Sequence, residues 1–142
     1  MSSGTRWQFP LRGTTACIVV VDDDMLIARA VRRVLIGAHP EWHVEVFDDP
    51  VEALNAIDER ATVVISDLDM PVLTGHALLA HVLAYHPNVV RIVHSARVDE
   101  CQIAEQSGLC HRALAKPTTS QELIGAVEWS LRLAESFEAR SA

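Results

Sequence analysis

The sequence predicts an α/β chain: an open, doubly wound parallel sheet of five strands with helices on both faces. Two observations predict it. Apolar, β-favouring runs alternate five times with segments of helical periodicity, giving the order βαβαβαβαβα. The runs at 17–21 (CIVVV), 62–66 (TVVIS) and 89–93 (VVRIV) are nearly all apolar, as expected of strands covered on both faces.

The first strand, 17–21, runs into Asp22, Asp23 and Asp24, and a helix follows over 25–37. Leu26, Ala30 and Val34, and beside them Ile27, Val31 and Leu35, recur there at helical spacing. Asp24 is read as that helix's cap. The second strand covers 42–47 (WHVEVF), after which Asp49 caps a helix over 50–60 and Pro50 takes its first position. The third strand ends in Ser66 before Asp67, and the third helix, 75–86, stops at His86-Pro87-Asn88. The fourth strand leads into His94-Ser95-Ala96 and a helix over 99–107. The fifth, 111–115 (HRALA), ends at Lys116-Pro117. Thr118, Thr119 or Ser120 then caps a last helix over 119–137. That helix carries Leu123, Val127, Leu131 and Ala134 at core spacing. Its second stripe, Trp129, Leu133 and Phe137, is expected to pack under Trp7 and Phe9 of an N-terminal arm, or else to mark a partner surface. The expected division is an arm over 1–14, a folded domain over 15–138 and a tail over 139–142.

Composition narrows the function. A chain of 142 residues with 49% hydrophobic and 22% charged residues fits one globular domain. The net charge of −7 argues against a nucleic-acid surface, which needs clustered cations. Arg29, Arg32, Arg33, Arg91, Arg97, Arg112 and Lys116 are scattered, with Arg32 and Arg33 expected on a solvated helix face. Cys17, Cys101 and Cys110 show no CxxC spacing, which fits reduced thiols and a cytoplasmic location. Arg6, Pro10 and Arg12 break any signal-peptide pattern, and the histidines, prolines and Gly75 of 70–90 exclude a membrane helix. His39 and His43 stand four apart, but Pro40 between them disfavours a zinc-binding helix.

The strand ends carry the chemistry. In a parallel sheet Asp22, Asp23, Asp67, Ser95 and Lys116 all fall along one edge, where ligands of open α/β sheets bind. Adjacent aspartates repel one another, and a hard divalent cation such as Mg²⁺ would offset that repulsion. The hydroxyl and the ammonium complete a cradle for a phosphoryl group, with a carboxylate as nucleophile.

VVVDDDM, VVISDLDMPVLTG, VHSAR and ALAKP, in this order and at these strand ends, resemble the signature stretches of the receiver domain of two-component response regulators. The resemblance covers about residues 16–137. It implies the flavodoxin-like (βα)5 fold with strand order 2-1-3-4-5. It implies that Asp67 accepts a phosphoryl group from a sensor histidine kinase or a histidine phosphotransfer protein. Asp22 and Asp23 would place Mg²⁺, Asp23 more directly, with Asp67 and the backbone carbonyl of Asp69 as further ligands. Ser95 and Lys116 would engage the phosphoryl oxygens, and the Lys116-Pro117 bond would be cis.

The expected function is a stand-alone bacterial receiver. It would work by phosphorylation-dependent protein contact or phosphorelay and act on no separate metabolite. Its downstream protein is unspecified, and a homodimer through the fourth and fifth helices is possible. Two positions and one segment length depart from the family pattern. Ala113 replaces the common switch aromatic, Thr74 replaces a common aspartate, and the chain between Ser95 and Lys116 is about a residue short. Asp69 and Arg97 flank the approach to Asp67 and are expected to modulate loss of the phosphoryl group. The alternatives are a degenerate receiver serving as a scaffold and a haloacid-dehalogenase-type phosphatase, the latter suggested by Asp67-Leu68-Asp69.

Overall fold

Alternate residues of the central strands divide the core into two layers. The computed structural model describes residues 15–141. Its elements are β1 (Cys17–Val21), α1 (Met25–Ala38), β2 (His43–Phe47), α2 (Pro50–Ala56), β3 (Val63–Ser66), α3 (Gly75–Tyr85), β4 (Val90–Ser95), α4 (Val98–Gln106), β5 (Arg112–Ala115) and α5 (Ser120–Ser141). The five strands are all parallel, in the order β2-β1-β3-β4-β5. Val19, Val21, Val64 and Val93 pack with Ala53, Leu78, Leu79, Val82 and Ala104 of α2, α3 and α4. Ile18, Val20, Val63, Ile65 and Ile92 pack on the other side with Ala28, Val31, Leu35, Leu123 and Val127 of α1 and α5. Burying these apolar faces drives the fold, at roughly 1.5–3 kcal/mol per large aliphatic side chain.

Several boundaries differ from expectation for local reasons. α2 stops at Ala56 rather than 60. The Asp58 carboxylate accepts the Arg60 backbone N–H at 2.8 Å and pairs with its guanidinium at 2.7 Å, a local turn that competes with the helix. β4 runs on through His94 and Ser95, because Ser95 still pairs with Ala115 of β5. α5 continues to Ser141, beyond the expected end at 137. Arg32 is exposed as expected, yet its Nε–H donates to the Val44 carbonyl at 3.1 Å and ties α1 to β2.

Trp129, Leu133 and Phe137 are half-buried against the α1/α5 layer. β5 covers them in part: the Arg112 guanidinium lies 4.3 Å over the Trp129 ring, and the His111 ring lies 5.8 Å from Phe137. Trp7 and Phe9 lie outside the described residues, so the arm contact does too. His39 caps the C-terminus of α1, stacks on Trp42 at 3.9 Å and bonds Glu41 and Glu128 at 3.1 and 2.7 Å. His43 pairs with Glu45 at 2.7 Å.

Arg91 holds the far end of β4. It is buried, and its guanidinium bonds backbone carbonyls: Leu109 at 2.9 Å, Val89 at 3.3 Å, Pro87 and Gly108 at 3.4 Å. These carbonyls belong to the turn after α4 and to the turn before β4, so one side chain closes both. Arg91→Ala leaves them without their donor and opens a cavity. We expect a loss of about 3 kcal/mol in unfolding free energy by urea titration, with Arg91→Lys recovering only a part, because an ammonium lacks the guanidinium's planar fork.

Candidate functional site

The strand order reverses between β1 and β3, and the two strands deliver Asp22 and Asp67 side by side at that switch point. Asp67 directly follows β3, is 8% exposed, and its backbone N–H donates to the Val21 carbonyl at 3.0 Å. Its Oδ1 accepts from the Leu68 N–H at 2.7 Å and, more weakly, from the Asp69 N–H at 3.4 Å. The carboxylate is thus aimed by its own turn.

The three neighbouring aspartates have three different roles. Asp22 is buried at 3% exposure; its Oδ1 accepts from the Asp24 N–H at 2.9 Å and its Oδ2 lies 2.8 Å from Lys116 Nζ. Asp24 caps α1, its Oδ1 accepting from the Leu26 N–H at 3.0 Å. Asp23 faces solvent. Ligand oxygens of Asp22, Asp23 and Asp67 all lie within 4.8 Å of one another. That is a set of hard donors, one of them open to water, and it fits a hard divalent cation.

Lys116 is the only lysine in the chain and directly follows β5, at the opposite side of the site. Its Nζ reaches Asp67 Oδ2 at 3.4 Å as well as Asp22. Burial by itself would lower its pKa. The Asp22 and Asp67 carboxylates outweigh burial and raise it, so the ammonium stays charged. The Lys116-Pro117 peptide is cis, as expected.

Ser95 is buried, and its Oγ accepts from the Arg97 N–H at 3.1 Å. Among the described residues it makes no hydrogen bond to Asp67. Asp69 and Arg97 do meet across the approach to Asp67, at 3.6 Å, but both are more than half exposed and Arg97 also holds Glu100 of its own helix. Glu100 in turn reaches His76 of α3 at 3.4 Å. Sequence reasoning missed this extension of the pair, since nothing in the pattern joins α3 to α4. Thr74 caps α3 by accepting from the Ala77 N–H at 3.2 Å. Ala113 is half-buried, and its N–H donates to the Glu105 carboxylate of α4 at 2.6 Å.

The β3–α3 turn is the tightest part of the site. The Gly75 N–H donates to the Leu68 carbonyl at 3.0 Å, and a Cβ at position 75 would lie 1.9 Å from the Asp67 carbonyl oxygen. Only glycine permits that approach. Val72, 95% exposed, sits at φ +70°, spanned by a 2.7 Å bond from Leu73 N–H to Pro71 O. A β-branched residue in that region is strained.

The family model described as response regulator receiver domain matches residues 18–128. The chain belongs to this family. A methylesterase/glutaminase acting on protein glutamate and glutamine (protein-glutamate methylesterase/protein-glutamine glutaminase 1) from Rhodospirillum rubrum is 30% identical over 126 residues, covering 85% of this chain and 33% of that protein. The DNA-binding transcriptional regulator NtrC of Escherichia coli is 33% identical over 112 residues, covering 77% of this chain and 23% of that protein. The receiver therefore spans a third or less of the length of these relatives. A solved receiver domain protein from Clostridium thermocellum is 25% identical with a TM-score of 0.79, covering 86% of this chain and 98% of that one. Receivers in general bind Mg²⁺ at an acidic pocket and interact with histidine kinases or phosphotransfer proteins, and this one has an acidic cluster at the corresponding edge. Among the described residues no helix is long and apolar enough to cross a membrane.

Two substitutions in the β3–α3 turn have opposite expected effects. Val72→Gly relieves the strain and raises stability by about 1 kcal/mol. Gly75→Ala pushes the Asp67 and Leu68 backbone aside and destabilises by about 1–3 kcal/mol. Urea titrations of both variants check the pair.

Proposed function

We propose that this receiver accepts a phosphoryl group on Asp67 from the phosphohistidine of a sensor kinase or a phosphotransfer protein, and signals by altered contact with a partner protein. The observation that supports it most is the reach of Lys116, 2.8 Å from Asp22 and 3.4 Å from Asp67, beside three clustered carboxylates. The pairing brings the single lysine to two acids from two other strands, at the sheet's switch point, where ligands of open α/β sheets bind.

In the proposed reaction an Asp67 carboxylate oxygen attacks phosphorus. The new O–P bond forms as the donor's N–P bond breaks, and the electron pair leaves with the imidazole. Asp22, Asp23, Asp67 and the backbone carbonyl of Asp69 would hold Mg²⁺, which when bound neutralises charge on the phosphoryl oxygens. Lys116 supplies fixed positive charge to the same oxygens, and Ser95 supplies a hydroxyl donor after release of the Arg97 N–H. Asp69 and Arg97 cover the approach and slow attack by water. With no aromatic side chain at 113, the change is read through the β4–α4 loop and the Glu105–Ala113 link between α4 and β5, toward a partner protein or a second copy at α4 and α5. The work of this module is self-phosphorylation, its reversal and binding, with no separate metabolite turned over. The free thiols Cys17, Cys101 and Cys110 fit the bacterial cytoplasm.

Intact-mass measurement after incubation with acetyl phosphate and Mg²⁺ tests this reading. The wild type gains one phosphoryl group and Asp67→Asn gains none. Equal labelling of both, or of neither, contradicts the assignment. Arg97→Ala should lose the group roughly two- to fivefold faster, the modest effect expected of an exposed ion pair. An unchanged decay rate removes Arg97 from the mechanism.

A further inference from the structure

His94 is a buried polar side chain that the phosphoryl chemistry leaves unused. It precedes Ser95 on β4, so strand alternation turns it to the opposite, α1/α5 face of the sheet. Only 6% of it is exposed. Its Nε2 lies 2.8 Å from Thr118 Oγ1, and that oxygen lies 3.2 Å from the Ala115 carbonyl. We assign the single Thr118 hydroxyl proton to its bond with the Ala115 carbonyl, so that the hydroxyl accepts from the ring and the ring proton sits on Nε2. Burial, reinforced by the charge of Lys116, pushes His94 down to about 4, so the ring is neutral at ordinary pH.

The last two members of that chain of bonds, Thr118 and Ala115, bracket Lys116 and Pro117. The Lys116 N–H itself donates to the Ser95 carbonyl at 2.9 Å. Consecutive residues at the end of β4 thus hold the lysine turn twice, Ser95 by its backbone and His94 by its ring. Just beyond, Thr119 and Glu122 form a reciprocal capping box, at 2.9 and 3.0 Å, that seats α5. On the α1 side the turn faces an open apolar groove of about 590 Å³, lined by Leu26, Ile27, Ala30 and Leu123. Among the described residues that line the groove from outside the turn, His94 is the one whose side chain bonds it.

We propose that His94 is a positioning residue for Lys116: its Nε2–H bond to Thr118 fixes the β5–α5 turn so that the ammonium stands between Asp22 and Asp67. The effect on phosphorylation rests on the receiver reading; the effect on Lys116 does not. The experiment separates them. Because the chain has one lysine, lysine-selective ¹³C labelling gives a single ε-methylene signal, which reports how firmly Lys116 is held. Four variants are compared with wild type: His94→Leu, His94→Gln, Thr118→Val and the double variant His94→Leu/Thr118→Val. Glutamine places an N–H donor near the position of Nε2; leucine does not.

His94→Leu should move the Lys116 signal toward that of a free lysine and slow labelling by acetyl phosphate and Mg²⁺ roughly tenfold, since a small misplacement of a reacting group is costly. His94→Gln should restore both readouts. Thr118→Val, at a half-exposed position that tolerates the change, should match His94→Leu, and the double variant should be no worse than either. An unmoved Lys116 signal in His94→Leu, a Gln variant as impaired as Leu, or multiplying effects in the double variant each overturns the proposal. If wild type takes no phosphoryl group, the receiver reading fails, and the Lys116 signal still decides the role of His94.

Discussion

The ammonium of Lys116, between the carboxylates of Asp22 and Asp67, is the interaction on which the rest of the site depends. Asp22 is almost fully buried, and a buried carboxylate needs a partner. Lys116 supplies it from a strand three positions away in the sheet. The same contact leaves Asp23 as the exposed acid, facing water and open to a cation. Adjacent like charges at the end of β1 are tolerable because each is placed differently: one in an ion pair, one facing solvent and one capping a helix.

That contact is held in register by backbone more than by side chains. Asp67 is aimed by the amide of Leu68, Gly75 lets α3 begin against the Asp67 carbonyl, and the Lys116 amide is pinned to Ser95. The parallel sheet makes this possible, since all its strands deliver their carboxyl ends to one edge. Longer side chains add links around it: Arg97 is shared between Asp69 and Glu100, and Glu105 reaches across to the edge strand. The Ser95 hydroxyl accepts from the Arg97 amide and so ties the end of β4 to the start of α4.

Much of this was legible in the sequence, for identifiable reasons. The strands covered on both faces read as unbroken apolar runs, and Asp49-Pro50 announced its helix. The site residues were legible because parallel topology alone puts strand ends together. What the sequence left open depended on geometry between distant segments. α2 ends early beside the Asp58–Arg60 turn, a side-chain closure that no periodicity reveals. The extent of β4 rested on a partner in β5, and the contact of Arg112 with Trp129 on a helix that runs past the sheet. The partner of His94 was not legible, because Thr118 lies in a turn that no periodicity predicts.

The claim that Asp22, Asp23 and Asp67 form one cation site under the control of Lys116 is tested most directly by thermal unfolding across a Mg²⁺ titration, with no phosphodonor present. A ligand that binds only the folded chain raises the unfolding midpoint steadily as its concentration passes the dissociation constant. The account predicts such a rise for the wild type and its loss in Asp23→Asn, the variant that removes the solvent-facing ligand alone. A wild-type midpoint indifferent to Mg²⁺, or an equal rise in Asp23→Asn, would contradict it.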